Sequence, residues 1–219
     1  MKDGTSLNWA GYAALTSLAS PERNAVSDVK GSWTVPSVDC SVTPSAYASF
    51  WIGIDGYSSN TVEQIGTDSD CSSGSSTYYA WYEMYPKYPV NLNLKISSGD
   101  TISAEVQYLG QRGFMLTITD TRTGATFSTT QKSSAAKRSS AEWIAEAPWS
   151  SGVLPLADFV TVTFQNAQAT LKGHTGPISD PAWRYDRIDM VSSSGSLKAQ
   201  TSALFSSGTS FSVKWFAAN

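Results

Sequence analysis

Nearly every apolar run in this chain repeats with a period of two. In Thr101–Leu109, Ile102, Ala104, Val106 and Tyr108 fall on one side, and Thr101, Ser103, Glu105 and Gln107 on the other. Val29–Pro36, Phe114–Thr119, Ala125–Thr130, Phe159–Phe164, Arg184–Val191, Leu197–Thr201 and Phe211–Phe216 behave similarly. Strand side chains point alternately to opposite faces, so such runs lay one face on a core and the other in water. Turn-forming clusters separate them: Ser97–Asp100, Thr121–Gly124, Ser192–Ser196 and Ser206–Gly208. No segment sustains a helical period. Ser133–Ser140 is the one candidate for a brief helix, and its Lys137-Arg138 reads better as an exposed loop. With no internal repeat and no dividing linker, residues 1–219 are expected to form a single all-β domain, an antiparallel β-sandwich or barrel with very little helix.

Composition then narrows the partners. Charged residues are 15% of the chain, against roughly 25% in an average soluble domain. Ser and Thr supply the polar surface instead, and hydroxyls keep their hydration as carboxylates protonate, which suits an acidic or extracellular setting. A net charge of −3 argues against a nucleic-acid partner. No apolar run approaches the roughly 20 residues of a membrane helix. Met1-Lys2-Asp3-Gly4 leads straight into polar sequence, so a secreted, mature form with an added Met is expected. Two cysteines, Cys40 and Cys71, cannot make a Cys-only zinc site. Whether they are bridged stays open; if bridged, a loop of about 30 residues would stabilise the fold by roughly 3.5–4 kcal/mol.

One histidine excludes several chemistries. His174 lies in Lys172–Pro177, a surface loop by composition, and no Gly-x-Ser-x-Gly elbow accompanies it. A histidine zinc site needs more ligands than one His offers. Ser207–Ser210 resembles the serine loop of subtilisin-like enzymes, but it precedes a C-terminal strand in a chain without an α/β pattern and reads as a turn. The Asp-Thr-Gly and Asp-Ser-Gly triplets of pepsin-like proteases are absent. Carboxylate or carboxamide chemistry remains. Alternation puts Glu142, Ile144 and Glu146 on one face of Ala141–Ala147, and Glu83 on one face with Thr77, Tyr79, Trp81 and Tyr85. Acids among large aromatics suit a cleft wall, yet acids at the edge of a curved sheet with aromatics packed beneath would give the same spacing.

Several pieces together decide between these readings. Ser49–Gly66 runs as an apolar strand (Phe50, Trp51, Ile52, Ile54), an Asp55-Gly56 turn and a second strand carrying Gln64. With Asn8–Gly11, Val29–Val38, Ala80–Pro86, Ala141–Glu146 and Ala157–Phe164, it resembles the glutamic peptidases (eqolisins) in order across most of the chain. The resemblance implies a concanavalin A-like sandwich, a protein- or peptide-cleaving acid endopeptidase insensitive to pepstatin, and no cofactor or metal. It implies catalytic residues at Gln64 and Glu142, and substrate-cleft or neighbouring acidic positions at Trp51, Asp55, Asp68 and Glu83. One departure stands out: Tyr79 occupies a position where the family pattern has an acid. The resemblance also implies secretion as a precursor with a propeptide, and a monomer is expected.

The pair is chemically sensible. A glutamate with a reference pKa near 4.3 can deprotonate an attacking water and then protonate the leaving amine. A glutamine amide is neutral at every pH and can hold the water and stabilise an oxyanion. Two other readings use the same residues: a concanavalin-type glycoside hydrolase with Glu83 and Glu142 as its carboxylates, or a non-catalytic sugar-binding module.

Overall fold

The computed structural model describes residues 1–219 as sixteen strands. They are β1 (Lys2–Ser6), β2 (Trp9–Leu15), β3 (Val26–Thr34), β4 (Ser49–Ile54), β5 (Val62–Ser72), β6 (Ser75–Tyr85), β7 (Val90–Asn91) and β8 (Thr101–Gly110). Then follow β9 (Gly113–Asp120), β10 (Thr126–Lys132), β11 (Ser140–Glu146), β12 (Thr161–Leu171), β13 (His174–Pro177), β14 (Arg184–Val191), β15 (Leu197–Thr201) and β16 (Phe211–Trp215). The helical content is one 3₁₀ turn at Ser206–Gly208, inside the stretch read as a turn.

One layer runs β10-β9-β8-β3-β12-β16 and the other β15-β14-β2-β11-β4-β5-β6-β7. β3 packs across β4 and β11, while β8 and β9 pack across β5. Alternation builds the core between them: Ile102, Ala104 and Val106 of β8 and Phe114, Leu116 and Ile118 of β9 face Phe50, Ile52, Ile65 and Trp143. Two buried indoles tie the layers: Trp143 Nε1 donates to the Lys30 carbonyl at 2.9 Å, and Trp33 Nε1 to Thr67 Oγ1 at 2.9 Å. A buried N–H without such a partner would cost about 1–3 kcal/mol.

Three features differ from the sequence expectation. The two sheets are not separate: β15 and β16 pair (Ala199↔Trp215 to Thr201↔Val213), making one ladder folded over on itself. β1 pairs with β14 in parallel, so the sheet is not wholly antiparallel. Ser133–Arg138 is a loop, and Lys137 and Arg138 are half-buried in it, because their N–H groups are taken up by Asp55 and the Arg138 guanidinium lies 3.8 Å over the Tyr108 ring.

Cys40 and Cys71 are bridged, with Cα atoms 5.4 Å apart and a sequence separation of 31. The bridge ties the segment after β3 to the end of β5. Replacing both by Ala is expected to lower the unfolding free energy by about 3.5–4 kcal/mol, because the open chain regains loop entropy. A urea titration reads this as a lower midpoint with a somewhat steeper slope, because the unfolded chain without the cross-link exposes more surface.

Candidate active site

The outward face of the second layer carries three transverse rows, fixed by register. Directly opposed residues on neighbouring antiparallel strands share a face. The first row reads Asp186–Ala13–Glu142–Gly53–Gln64–Glu83 across β14, β2, β11, β4, β5 and β6. Two residues along the strands, the second reads Ile188–Gly11–Ile144–Trp51–Gly66–Trp81. The third reads Trp9–Glu146–Ser49–Asp68–Tyr79. An apolar band therefore lies between two polar ones, and its members Trp51, Trp81, Ile144 and Ile188 cluster with Ala13, Leu15 and Val62 apart from the main core.

Glu142 and Gln64 stand two strands apart, a Cα separation of roughly 10 Å, with only Gly53 between them. A Cβ at Gly53 would lie 3.0 Å from Gln64 Cβ and 3.2 Å from Trp51 Cζ3, so glycine keeps this gap open. Gln64 Nε2 donates to Glu83 Oε2 at 2.5 Å, which turns the amide and leaves Gln64 Oε1 buried without a protein partner. Glu142 is wholly buried; Oε1 accepts the Tyr57 N–H at 3.3 Å, and Oε2 has no protein partner. Burial holds its carboxyl well above the ordinary glutamate range, with the Asp55 and Glu63 carboxylates adding to the shift. The reference value near 4.3 therefore does not describe Glu142 in this closed state.

Two further acids fix the indoles of the apolar band. Glu146 Oε2 accepts from Trp51 Nε1 at 2.7 Å and its Oε1 from Asn8 Nδ2 at 3.0 Å. Asp68 Oδ1 accepts from Trp81 Nε1 at 2.5 Å. Desolvation pushes Glu146 and Asp68 each up to about 7, and raises Glu83 against the lowering effect of the Gln64 hydrogen bond.

A cleft of about 880 Å³ opens over these rows, with Trp9, Tyr57, Gln64, Asp68, Trp81, Glu83, Glu146 and Trp149 among its lining. Gln64, Asp68 and Glu83 thus stand where the sequence reading expects cleft residues. Trp51 is fully buried beneath the lining rather than in it. Asp55 is elsewhere. At φ +74° it turns its buried carboxylate away from the cleft, accepting the N–H groups of Lys137, Arg138 and Ser139 and the Ser139 hydroxyl at 2.6–2.9 Å. These bonds brace the entry to β11, which carries Glu142. Glu142 is not part of the lining; it accepts the Tyr57 N–H, and the Tyr57 hydroxyl donates to Asp186 Oδ2 at 2.6 Å. Glu146, Tyr57, Trp81 and Gly53 were not among the expected site residues. The alternation over Ala141–Ala147 is the signal that points to Glu146.

His174 is exposed on β13, which pairs with β12 in the other layer, and it meets Asp180 at 3.1 Å. No group of three or more His, Cys, Asp and Glu side chains is arranged to hold a metal ion. Glu83 and Glu142 are three strands apart, roughly 14 Å between Cα atoms, and the Gln64 amide binds Glu83 from between them. That is a poor geometry for a glycosidase pair.

The description "Peptidase A4 family" matches residues 7–215. Aspergillopepsin-2 of Aspergillus niger is 31% identical over 236 aligned residues, covering 96% of this chain and 78% of its own. A crystal structure of scytalido-glutamic peptidase with a transition state analog inhibitor superposes with a TM-score of 0.80 at 26% identity, covering 96% of this chain and 99% of that one. SCP-B, a member of the Eqolisin family in complex with a tripeptide Ala-Ile-His, gives 0.77 at 25% identity over the same shares.

Proposed function

This chain belongs to the Peptidase A4 family, the glutamic endopeptidases that cleave protein and peptide substrates, and we propose that Glu142 and Gln64 carry its chemistry. One observation supports this above others: Glu142 Oε2 and Gln64 Oε1, both buried and without protein partners, belong to residues that flank Gly53 on one face of the sheet. Two such acceptors suit a shared water that donates to both. Glu142 takes a proton from that water as it attacks the peptide carbonyl, and returns one to the departing nitrogen. The second hydrogen of Gln64 Nε2, free of Glu83, serves the developing oxyanion. Glu142 acts as a base in its ionised form, which burial disfavours.

The enzyme is read as a secreted, pepstatin-insensitive monomer working in acid. The disulfide fits an oxidising compartment, and the buried carboxyls fit an acidic one. Cleavage of an unfolded protein between pH 3 and 6 with pepstatin present is the test. Gln64→Ala is expected to lower kcat/KM by about 10²–10³, the usual effect of removing one oxyanion donor. Near-wild-type cleavage by the folded variant would remove Gln64 from the mechanism.

A further inference from the structure

At the far end of the cleft floor, three titratable groups meet without a cation. Tyr79 Oη lies 2.8 Å from Asp68 Oδ2 and 2.8 Å from Asp70 Oδ2. Asp70 Oδ1 accepts the Ala48 N–H at 3.3 Å, and Asp68 Oδ1 holds the Trp81 indole. Both aspartates are nearly buried, and Asp68, Tyr79 and Trp81 line the cleft. Glu146 faces the same band from β11 and Glu83 from β6, and no Lys, Arg or His pairs with any of these carboxyls.

The protons can be counted. Two oxygen–oxygen contacts at 2.8 Å need two hydrogens, and a phenol has one. The second comes from a carboxyl, so the arrangement is complete only while Asp68 or Asp70 is protonated. With both ionised, one carboxylate faces a phenol lone pair beside a second buried negative charge, and the contact is repulsive.

We infer that Tyr79 is a positioning residue: with the single proton shared by Asp68 and Asp70, its hydroxyl holds Asp68 against Trp81 and so keeps the cleft wall in its substrate-binding shape only in acid. The inference rests on the concave cleft being the peptidase site, but not on which residues perform the chemistry there. Tyr79 touches no reacting atom, so its influence falls on substrate binding. In the wild type, KM rises as pH approaches neutrality while kcat follows its own, separate profile.

Two variants test this by steady-state kinetics on one peptide from pH 3 to 7. Tyr79→Phe keeps the ring and removes the hydroxyl. It is expected to raise KM about tenfold, the scale of a lost hydrogen bond to a charged group, with kcat within about twofold. Its KM should already be high in acid and change little where the wild-type KM rises, since the hydroxyl that ionisation would release is gone. Asp70→Asn supplies a permanent N–H donor to Tyr79 Oη and removes the titration. Its KM is expected to stay flat where the wild-type KM rises, which serves if Tyr79→Phe fails to fold. KM profiles of folded variants that superimpose on the wild type would overturn the inference. An equal fall in kcat with KM unmoved would do so too, because Tyr79 would then act on the chemical step. Neither outcome bears on the Gln64 and Glu142 tests, which use other variants, each compared with the wild type at a fixed pH.

Discussion

Glu142→Gln is expected to lower kcat by about 10²–10⁴, the range general acid–base catalysis contributes, while leaving KM within a few-fold. The substitution keeps the size of the side chain, and its amide oxygen can still accept the Tyr57 N–H that Oε1 takes at 3.3 Å. What it removes is the ability to take and return a proton. The variant should be no less stable than the wild type near neutrality, since a wholly buried carboxyl whose ionisation is opposed by desolvation is replaced by a group that never ionises. The acid limb of kcat/KM, which reports the free enzyme, is expected above the ordinary glutamate value near 4.5, because burial desolvates Glu142 and the Asp55 carboxylate opposes its ionisation. Stopped assays on a fluorogenic peptide, with folding checked by near-ultraviolet circular dichroism, measure all three quantities. A folded variant that cleaves at the wild-type rate would end the assignment of Glu142.

Thermal stability should be greatest in acid and fall steeply on the way to neutral pH. Seven carboxyls are held above their ordinary range, in each case chiefly by desolvation: Asp28, Glu63, Asp68, Asp70, Glu83, Glu142 and Glu146. Asp28, Asp68 and Glu146 are pushed up to about 7 and Glu63 to about 8. In the unfolded chain these groups ionise near 4, so between about pH 4 and 8 the folded state binds more protons than the unfolded one. Stability then falls as pH rises, by about 1.4 kcal/mol per pH unit for each excess proton the folded state holds, with Asp68 and Asp70 counting as one. Several groups acting together match the roughly 5–15 kcal/mol that holds a domain folded. Asp39 and Asp120, lowered by the Ser41 and Thr123 hydroxyls, act oppositely and lose their contribution only at more acidic pH. Melting temperatures from pH 3 to 9 test this, with cooperative unfolding expected by pH 8. Glu63 lies on the core side of β5 between Ile54 and Met84, with both carboxyl oxygens unpartnered. Glu63→Gln should flatten the fall between pH 5 and 8, whereas a melting temperature constant across that range in the wild type would refute the account.

The all-β architecture was legible because most strands and turns are announced locally, as in Thr101–Leu109 and the Ser97–Asp100 cluster, though β13 lies in a stretch that reads as a loop. The parallel β1–β14 pair and the β15–β16 seam were not, since pairing between distant segments leaves no local trace. Alternation placed Glu142, Ile144 and Glu146 on one face before any coordinates. That this face meets Gln64 across a glycine is a matter of register over three strands, and family resemblance supplied it instead. Asp55 misled for a related reason. It sits in the motif that marks the site, but its partners are backbone groups 82 to 84 residues further on. Tyr79 read only as a missing acid, whereas in the fold its hydroxyl joins two acids that the sequence sets two residues apart.

The banding of the cleft floor has a consequence for selectivity. Its polar, apolar and polar rows recur every two residues along the strands, about 6.6–6.8 Å, which is also the repeat of same-side side chains in any extended polypeptide. A chain lying along the strands meets the floor in phase, like teeth on a rack of equal pitch. Discrimination then falls on the pattern of alternate residues across several positions, and a slip of one residue exchanges the whole set presented to the floor.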